Sequence, residues 1–219
     1  MPNGSFSRKM FPLTQDAAVR RPSISGLLAH PNLLIRISAA TAAGFIVFLA
    51  SWTASYAWLP EGFYRIFWQP SVEGNDALTL FAWNLMTVGV TAFASLFVIN
   101  RFPAGYLIPL FVFGLYGGLL GTNSFFIPDP AGPQAPTLNV IWTRSGLREA
   151  LAYLLVAAAL TNVYLWRQPS WWSTRLERIR SWRDVRLSRA EILLVIVAIA
   201  LLFWAVYVEA WQIAQAMSR

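Results

Sequence analysis

Five stretches of the chain are almost wholly apolar, and polar or charged residues bound each of them. They cover about 37–59, 78–99, 103–121, 147–166 and 191–212. The first two carry no charge, and the third opens on Pro103, which suits a first helical turn. The fourth is apolar after Glu149, and Glu191 and Glu209 bracket the apolar part of the fifth. About 20 residues of helix, at 1.5 Å per residue, cross the roughly 30 Å hydrocarbon core of a bilayer. Each stretch is therefore long enough to span. Apolar residues occupy every face rather than alternate positions, which argues against a transmembrane β-barrel. The pattern predicts an all-α integral membrane protein with five transmembrane helices. Residues 1–31 read as a flexible cytoplasmic tail and 32–219 as a single transmembrane domain.

Composition supports that class. Hydrophobic residues make up 57% of the chain, charged residues 12%, and mean hydropathy is +0.50. A soluble domain carries about 25% charged residues, so this chain has too few to cover a water-exposed surface. There is no cysteine, which removes disulfides, iron–sulfur clusters, zinc–thiolate sites and cysteine nucleophiles. His30, the single histidine, precedes the first apolar stretch, so histidine ligation of haem or chlorophyll inside the bilayer is not available. We expect no metal and no cofactor. The net charge is +7 with pI near 10.4, but the basic residues lie between apolar segments rather than on one folded face, which argues against nucleic acid. Lys9 is the one lysine among 17 basic residues, a bias of the kind a high-GC genome produces.

The arginines set the expected orientation. The tail and first helix start hold Arg8, Lys9, Arg20, Arg21 and Arg36, and the link between the second and third stretches holds Arg101. The link between the fourth and fifth holds Arg167, Arg175, Arg178, Arg180, Arg183, Arg186 and Arg189. Thirteen basic residues thus share one side, against Arg65, Arg144, Arg148 and Arg219 on the other. The positive-inside rule places the N-terminus in the cytoplasm and the C-terminus outside. Arg20-Arg21 has the form of a twin-arginine signal, but the apolar run behind it starts some fifteen residues later and is too long to be a cleaved signal peptide.

The links differ in character. Residues 60–77 carry Glu61, Glu73 and Asp76 against Arg65, and Pro128, Pro130, Pro133 and Pro136 make regular structure unexpected over 122–146. Trp58, Phe63, Tyr64, Trp68 and Trp142 fall near the outer boundary, as an aromatic belt would. In 167–189, Trp172, Leu176, Ile179 and Trp182 recur at spacings of four, three and three, with Arg175, Arg178, Arg180, Arg183 and Arg186 between or beside them. This spacing predicts a basic amphipathic interfacial helix between the fourth and fifth transmembrane helices. It is either an orientation signal or a docking surface for acidic lipids or a cytoplasmic partner.

Polar residues within the apolar stretches are the candidate site. A charge at the bilayer centre costs at least ~2.5 kcal/mol, so its position is informative. Asn84, Glu149 and Glu209 are all expected in the outer third, together with Gly114, Gly117, Gly118 and Gly121 at the end of the third stretch. The glycines form two small-xxx-small pairs suited to close helix packing, within the chain or between copies. Arg144 or Arg148 is the natural ion-pair partner for Glu149 or Glu209, although Arg148 and Glu149 themselves point about 100° apart. The cluster reads either as a structural lock or as a substrate or ion site. Glu191, three residues after Ser188, suits a helix N-cap.

Four of these segments carry a family resemblance. Phe81-Ala82-Trp83-Asn84, Gly117-Gly118-Leu119-Leu120-Gly121, Gly146-Leu147-Arg148-Glu149 and Val208-Glu209-Ala210-Trp211 occur in this order over residues 78–213. Together they resemble the stage II sporulation protein M family of polytopic membrane proteins. Arg144-Ser145 stand where that family often has proline-histidine, and Gly117 stands where it usually has asparagine. The resemblance implies a bacterial inner-membrane protein that recruits partners, with Gly118, Gly121, Glu149 and Glu209 in packing roles.

The functional expectation is a non-enzymatic membrane scaffold or accessory subunit, with membrane lipids and other membrane-protein subunits as partners. No nucleophile, metal triad or phosphate loop accompanies the carboxylates. A small transporter component and an accessory subunit of a respiratory or photosynthetic complex are the alternatives.

Overall fold

The computed structural model describes residues 23–66, 77–125, 128–143 and 146–217. Most of the expected tail, together with Trp68, Glu73, Asp76 and Arg144, lies outside the described residues. The described residues are mostly helical, with few strands. Its helices are α1 (Ile24–Leu28), α2 (Leu33–Trp58), α3 (Ala77–Ala94), α4 (Leu107–Gly121), α5 (Leu138–Thr143), α6 (Gly146–Leu160) and α7 (Arg189–Met217). Among the described residues, four helical segments are long and apolar enough to cross a membrane: Leu33–Trp58, Ala104–Gly121, Gly146–Val163 and Arg189–Gln215. Leu78–Ala94 is a shorter apolar helix.

Caps explain where two helices begin. The Asn32 side chain accepts from the Leu34 amide at 2.9 Å, so α2 starts ahead of its uncharged stretch. Ser188 and Glu191 cap α7 reciprocally: the Glu191 amide donates to Ser188 Oγ at 3.2 Å, and the Ser188 amide donates to Glu191 Oε2 at 2.8 Å.

The basic end departs most from expectation. Instead of running to 99, α3 stops at Ala94, and Phe97–Ile99 form strand β1. Pro103 closes β2 (Phe102–Pro103) rather than opening a helix, and a 3-10 turn, Ala104–Tyr106, leads into α4. Asn100 and Arg101, at φ 46° and 70°, make the tight turn between β1 and β2. The expected amphipathic helix over 167–189 does not form. Its residues instead supply most of β3 (Trp166–Gln168), β4 (Glu177–Arg178) and a 3-10 turn, Trp182–Asp184. The sheet order is β2-β1-β3-β4, with β1 parallel to β3 and the other pairs antiparallel. Two causes are visible. Pro169 interrupts any helix continuing from β3, and β1 offers backbone partners that pair Phe97 with Trp166 and Ile99 with Gln168.

Two further segments are more regular than expected. Ser23 caps α1, whose Leu28 is buried and whose Leu28 carbonyl accepts from the Tyr106 hydroxyl at 3.1 Å. The described end of the expected flexible tail is thus packed on the bundle. Within the proline-rich link, Thr137 Oγ1 accepts from the Val140 amide at 3.3 Å and starts α5.

The core is built chiefly by α2 along α4 and by α6 along α7. Glycine sets the first contact. A Cβ on Gly117 would lie 2.2 Å from the Phe48 carbonyl oxygen, and one on Gly121 would lie 2.7 Å from that of Trp52. Backbone therefore meets backbone within one chain, as small residues permit in lipid. Gly118 faces the Tyr64 ring and Gly114 faces Val47. Phe48, Phe113, Tyr106 and Leu154 fill the interior. At the basic end, Arg36 Nη2 meets Glu191 Oε1 at 2.9 Å, with the side chains 1% and 10% exposed. This buried pair ties the first turn of α2 to the first turn of α7.

Gly117→Ala and Gly121→Ala lower the melting temperature of the purified protein, each by the equivalent of about 1–3 kcal/mol. Gly89→Ala, whose Cβ meets nothing within 4 Å, leaves it unchanged or raises it. Arg36→Ala strands a buried carboxylate and costs about 3–5 kcal/mol, whereas Arg36→Leu combined with Glu191→Leu recovers most of that loss in thermal unfolding.

Candidate functional site

The polar residues of α3, α4, α6 and α7 converge at the end of the bundle opposite the sheet. Glu149, in the first turn of α6, is 5% exposed. Its Oε1 accepts from Asn84 Nδ2 at 3.1 Å and its Oε2 from the Tyr116 hydroxyl at 2.8 Å. The Glu209 carboxyl of α7 lies within hydrogen-bonding reach of it. Tyr153, one turn along α6 from Glu149, donates to Asn84 Oδ1. Asn84 thereby uses both ends of its amide, which fixes the amide orientation.

Gly146 makes this arrangement possible. A Cβ there would fall 1.6 Å from Cε1 of the Tyr116 ring. Only glycine lets the ring lie against the start of α6 and carry its hydroxyl to Glu149. The Gly-x-x-Glu spacing therefore has a geometric meaning in this fold: the glycine admits the tyrosine, and the glutamate receives it.

Arg148 turns away from Glu149, as consecutive helical positions require. Its guanidinium sits over the Trp204 ring of α7, 4.7 Å from the centroid, a cation–π contact that supports a buried charge.

A second polar knot adjoins the first. Asn123, 3% exposed and at φ 48°, donates from Nδ2 to Glu61 Oε1 at 2.8 Å and to the Asp129 carbonyl at 2.8 Å. Its Oδ1 accepts from the Asp129 amide at 2.9 Å, and its carbonyl accepts from Arg65 Nη2 at 2.5 Å. The Gly62 amide donates to the Thr122 carbonyl at 2.7 Å, and the Tyr64 amide donates to Ser124 Oγ at 3.1 Å. These bonds fasten the segment after α2 to the segment after α4. A small apolar hollow beside Tyr116 is lined by Phe48, Leu120, Phe125, Val140, Ile141 and Leu147. Among the described residues, no three His, Asp or Glu side chains converge as metal ligands would.

The basic residues singled out from the sequence gather at the sheet end, apart from this cluster. Arg175 Nε meets Glu177 Oε1 at 3.3 Å on an exposed surface, and Arg178 Nε donates to the Arg180 carbonyl at 3.3 Å. Arg180 Nη1 donates to the Asn162 carbonyl at 2.7 Å, and its guanidinium lies 5.2 Å from the Tyr164 ring centroid. Arg183 and Arg186 are exposed. Trp182 packs edge-on against Trp166, and Trp172 is 94% exposed.

Sequence reasoning missed Tyr116, Tyr153, Asn123 and the Arg36–Glu191 pair. The position of Tyr153, four residues after Glu149, placed it on the same helix face, so a signal existed there. Tyr116 gave none, because its role depends on how α4 approaches α6.

Tyr116→Phe removes one donor from a buried carboxylate and lowers stability by about 1–3 kcal/mol. Gly146→Ala displaces the same ring and costs at least as much. Thermal unfolding in detergent measures both, and equal melting of Gly146→Ala and the parent would contradict the close approach of Tyr116.

No protein-family model matches the chain, and no curated protein and no solved structure matches it either.

Proposed function

We propose that the chain is a five-pass protein of the bacterial inner membrane, with a cytoplasmic N-terminus and an external C-terminus. We further propose that it serves as a non-enzymatic scaffold or accessory subunit of a larger membrane complex, akin to the stage II sporulation protein M family.

Five crossings are supported by which ends touch. The segment after α2 is bonded to the segment after α4 through Gly62, Tyr64 and Arg65. The link after α3 and the link after α6 share one sheet, and α2 and α7 start side by side at Arg36 and Glu191. α3 must therefore carry the chain from one end of the bundle back to the other. Its 18 residues give about 27 Å at 1.5 Å each, close to the thickness of the hydrocarbon core. The same contacts group the arginine-rich links on one side, as the positive-inside rule requires of a cytoplasmic face. Family kinship is supported by the meeting of Asn84, Gly146, Glu149 and Glu209, which come from three of the four resembling segments.

The scaffold reading rests on one observation: the buried polar groups near Glu149 are engaged by one another, through Asn84, Tyr116, Tyr153 and Glu209. Such a lock holds helices in place and leaves their apolar outer faces, with Phe93, Ile196, Phe203 and Tyr207 all about 60% exposed, for lipid or neighbouring subunits. The meeting of buried Glu149 with half-buried Glu209 itself favours the second reading, a transporter component.

Affinity purification in mild detergent separates them. A scaffold co-purifies with a stable, roughly stoichiometric set of partner chains, and Glu149→Gln or Glu209→Gln weakens both folding and that assembly. Normal assembly of these variants with loss of a transported flux would instead establish the transporter.

A further inference from the structure

We propose that the sheet at the basic end is a binding surface for acidic phospholipid headgroups of the membrane in which the chain sits. The proposal rests on the membrane placement above, and it stands whether the chain is a scaffold or a transporter component.

A continuous row of rings leads from the helical bundle into the basic loops. Phe93 of α3, 63% exposed on the apolar surface, packs against Phe97 at 5.4 Å between centroids. Phe97 stacks on Trp166 of β3 at 5.3 Å, and Trp166 meets Trp182 edge-on at 6.2 Å. Phe93 belongs to a helix surface that faces acyl chains, whereas Trp182 ends the row among arginines and is itself 56% exposed. The row thus fixes the depth of the sheet: it lies where hydrocarbon gives way to headgroups, the level that tryptophan prefers. Trp172, exposed over nearly its whole surface in the loop between β3 and β4, suits that level and not bulk water.

At that depth the surrounding charge selects the ligand. Arg101, Arg167, Arg178, Arg183 and Arg186 are exposed on or beside the strands and engage no carboxylate among the described residues. Glu177 pairs with Arg175, and Asp184 caps the turn at Ser181, so the two acids of the segment do little to offset the arginines. Exposed guanidinium groups at headgroup depth match phosphodiester oxygens in geometry and charge. They gain further from a net negative lipid surface. A soluble acidic protein would have to displace lipid from Trp172 and Trp182 to reach the same groups, which makes lipid the favoured occupant.

The full-length protein, reconstituted into nanodiscs of phosphatidylcholine with an equal fraction of phosphatidylglycerol, tests this. After extraction into a delipidating detergent, native mass spectrometry counts the lipids retained. The parent protein is expected to retain phosphatidylglycerol over phosphatidylcholine by on the order of fivefold or more. Arg183→Glu combined with Arg186→Glu brings the ratio close to one, with unchanged melting in pure phosphatidylcholine. Should that charge reversal also lower the melting temperature, Arg183→Gln with Arg186→Gln carries the same expectation with less perturbation. Equal retention of the two lipids by the parent, or undiminished preference in a folded variant, overturns the proposal. So does a parent that ignores acidic lipid but binds a soluble acidic protein. Failure of the chain to enter nanodiscs would instead refute the membrane placement, which keeps the two failures apart.

Discussion

The carboxyl group of Glu149 is the constraint around which the bundle is arranged. A polar group cut off from water must find protein partners or carry a penalty of several kcal/mol. Glu149 finds its partners on three other helices: Asn84 on α3, Tyr116 on α4 and Glu209 on α7. Each contact fixes a helix in rotation as well as in position, because only one face of each carries the necessary group. α2 makes none of these contacts. It is held instead by the close backbone approach at Gly117 and Gly121, and at its far end by Arg36 against Glu191. One polar node at each end, with a glycine seam between them, accounts for the placement of all five long helices.

The two sets of links meet the same demand for backbone partners in different ways. At the Glu149 end, Asn123 in a left-handed conformation gathers carbonyl, amide and carboxylate partners from two loops. At the other end, short strands from two links pair with each other. Both are tertiary solutions, since neither loop satisfies its own backbone alone. Sheet formation also explains why α3 ends early. Phe97, Val98 and Ile99 favour extended backbone, and β3 lies alongside to receive it.

What could be read from the sequence follows the range of the interactions. Helix class, the approximate extents of the apolar stretches and the glycine pairs depend on composition and near neighbours, and the structure places helices over all five stretches. Asn84, Glu149 and Glu209 stood out because a polar group in an apolar run is costly wherever its partner is. Which partner answers it is a different matter. Tyr116 reaches Glu149 only because Gly146 clears its path, and the two positions lie on different helices. The segment 167–189 failed for the same reason in reverse. Its spacing of Trp172, Leu176, Ile179 and Trp182 fits a helix locally, but the pairing of β3 with β1, 69 residues earlier in the chain, decides its conformation. Glu191 is legible as a helix-start residue from its spacing to Ser188, but its partner Arg36 lies 155 residues away, beyond the reach of any local pattern.

The contrast between the two ends bears on where this chain meets other molecules. Polar groups near Glu149 are buried and engaged with one another, so substitutions there act first on folding, and any effect on association follows from lost structure. At the sheet end, several arginines and tryptophans are exposed and contribute little to holding the helices together. Surface ion pairs such as Arg175–Glu177 are worth little in stability, so this charge is not explained by the needs of the fold. Groups that a fold does not need remain available for recognition, which is the ground of the lipid proposal. The groups that hold the bundle together and the groups left exposed for contact are thus separated along the long axis of the bundle, which allows one set to change without the other.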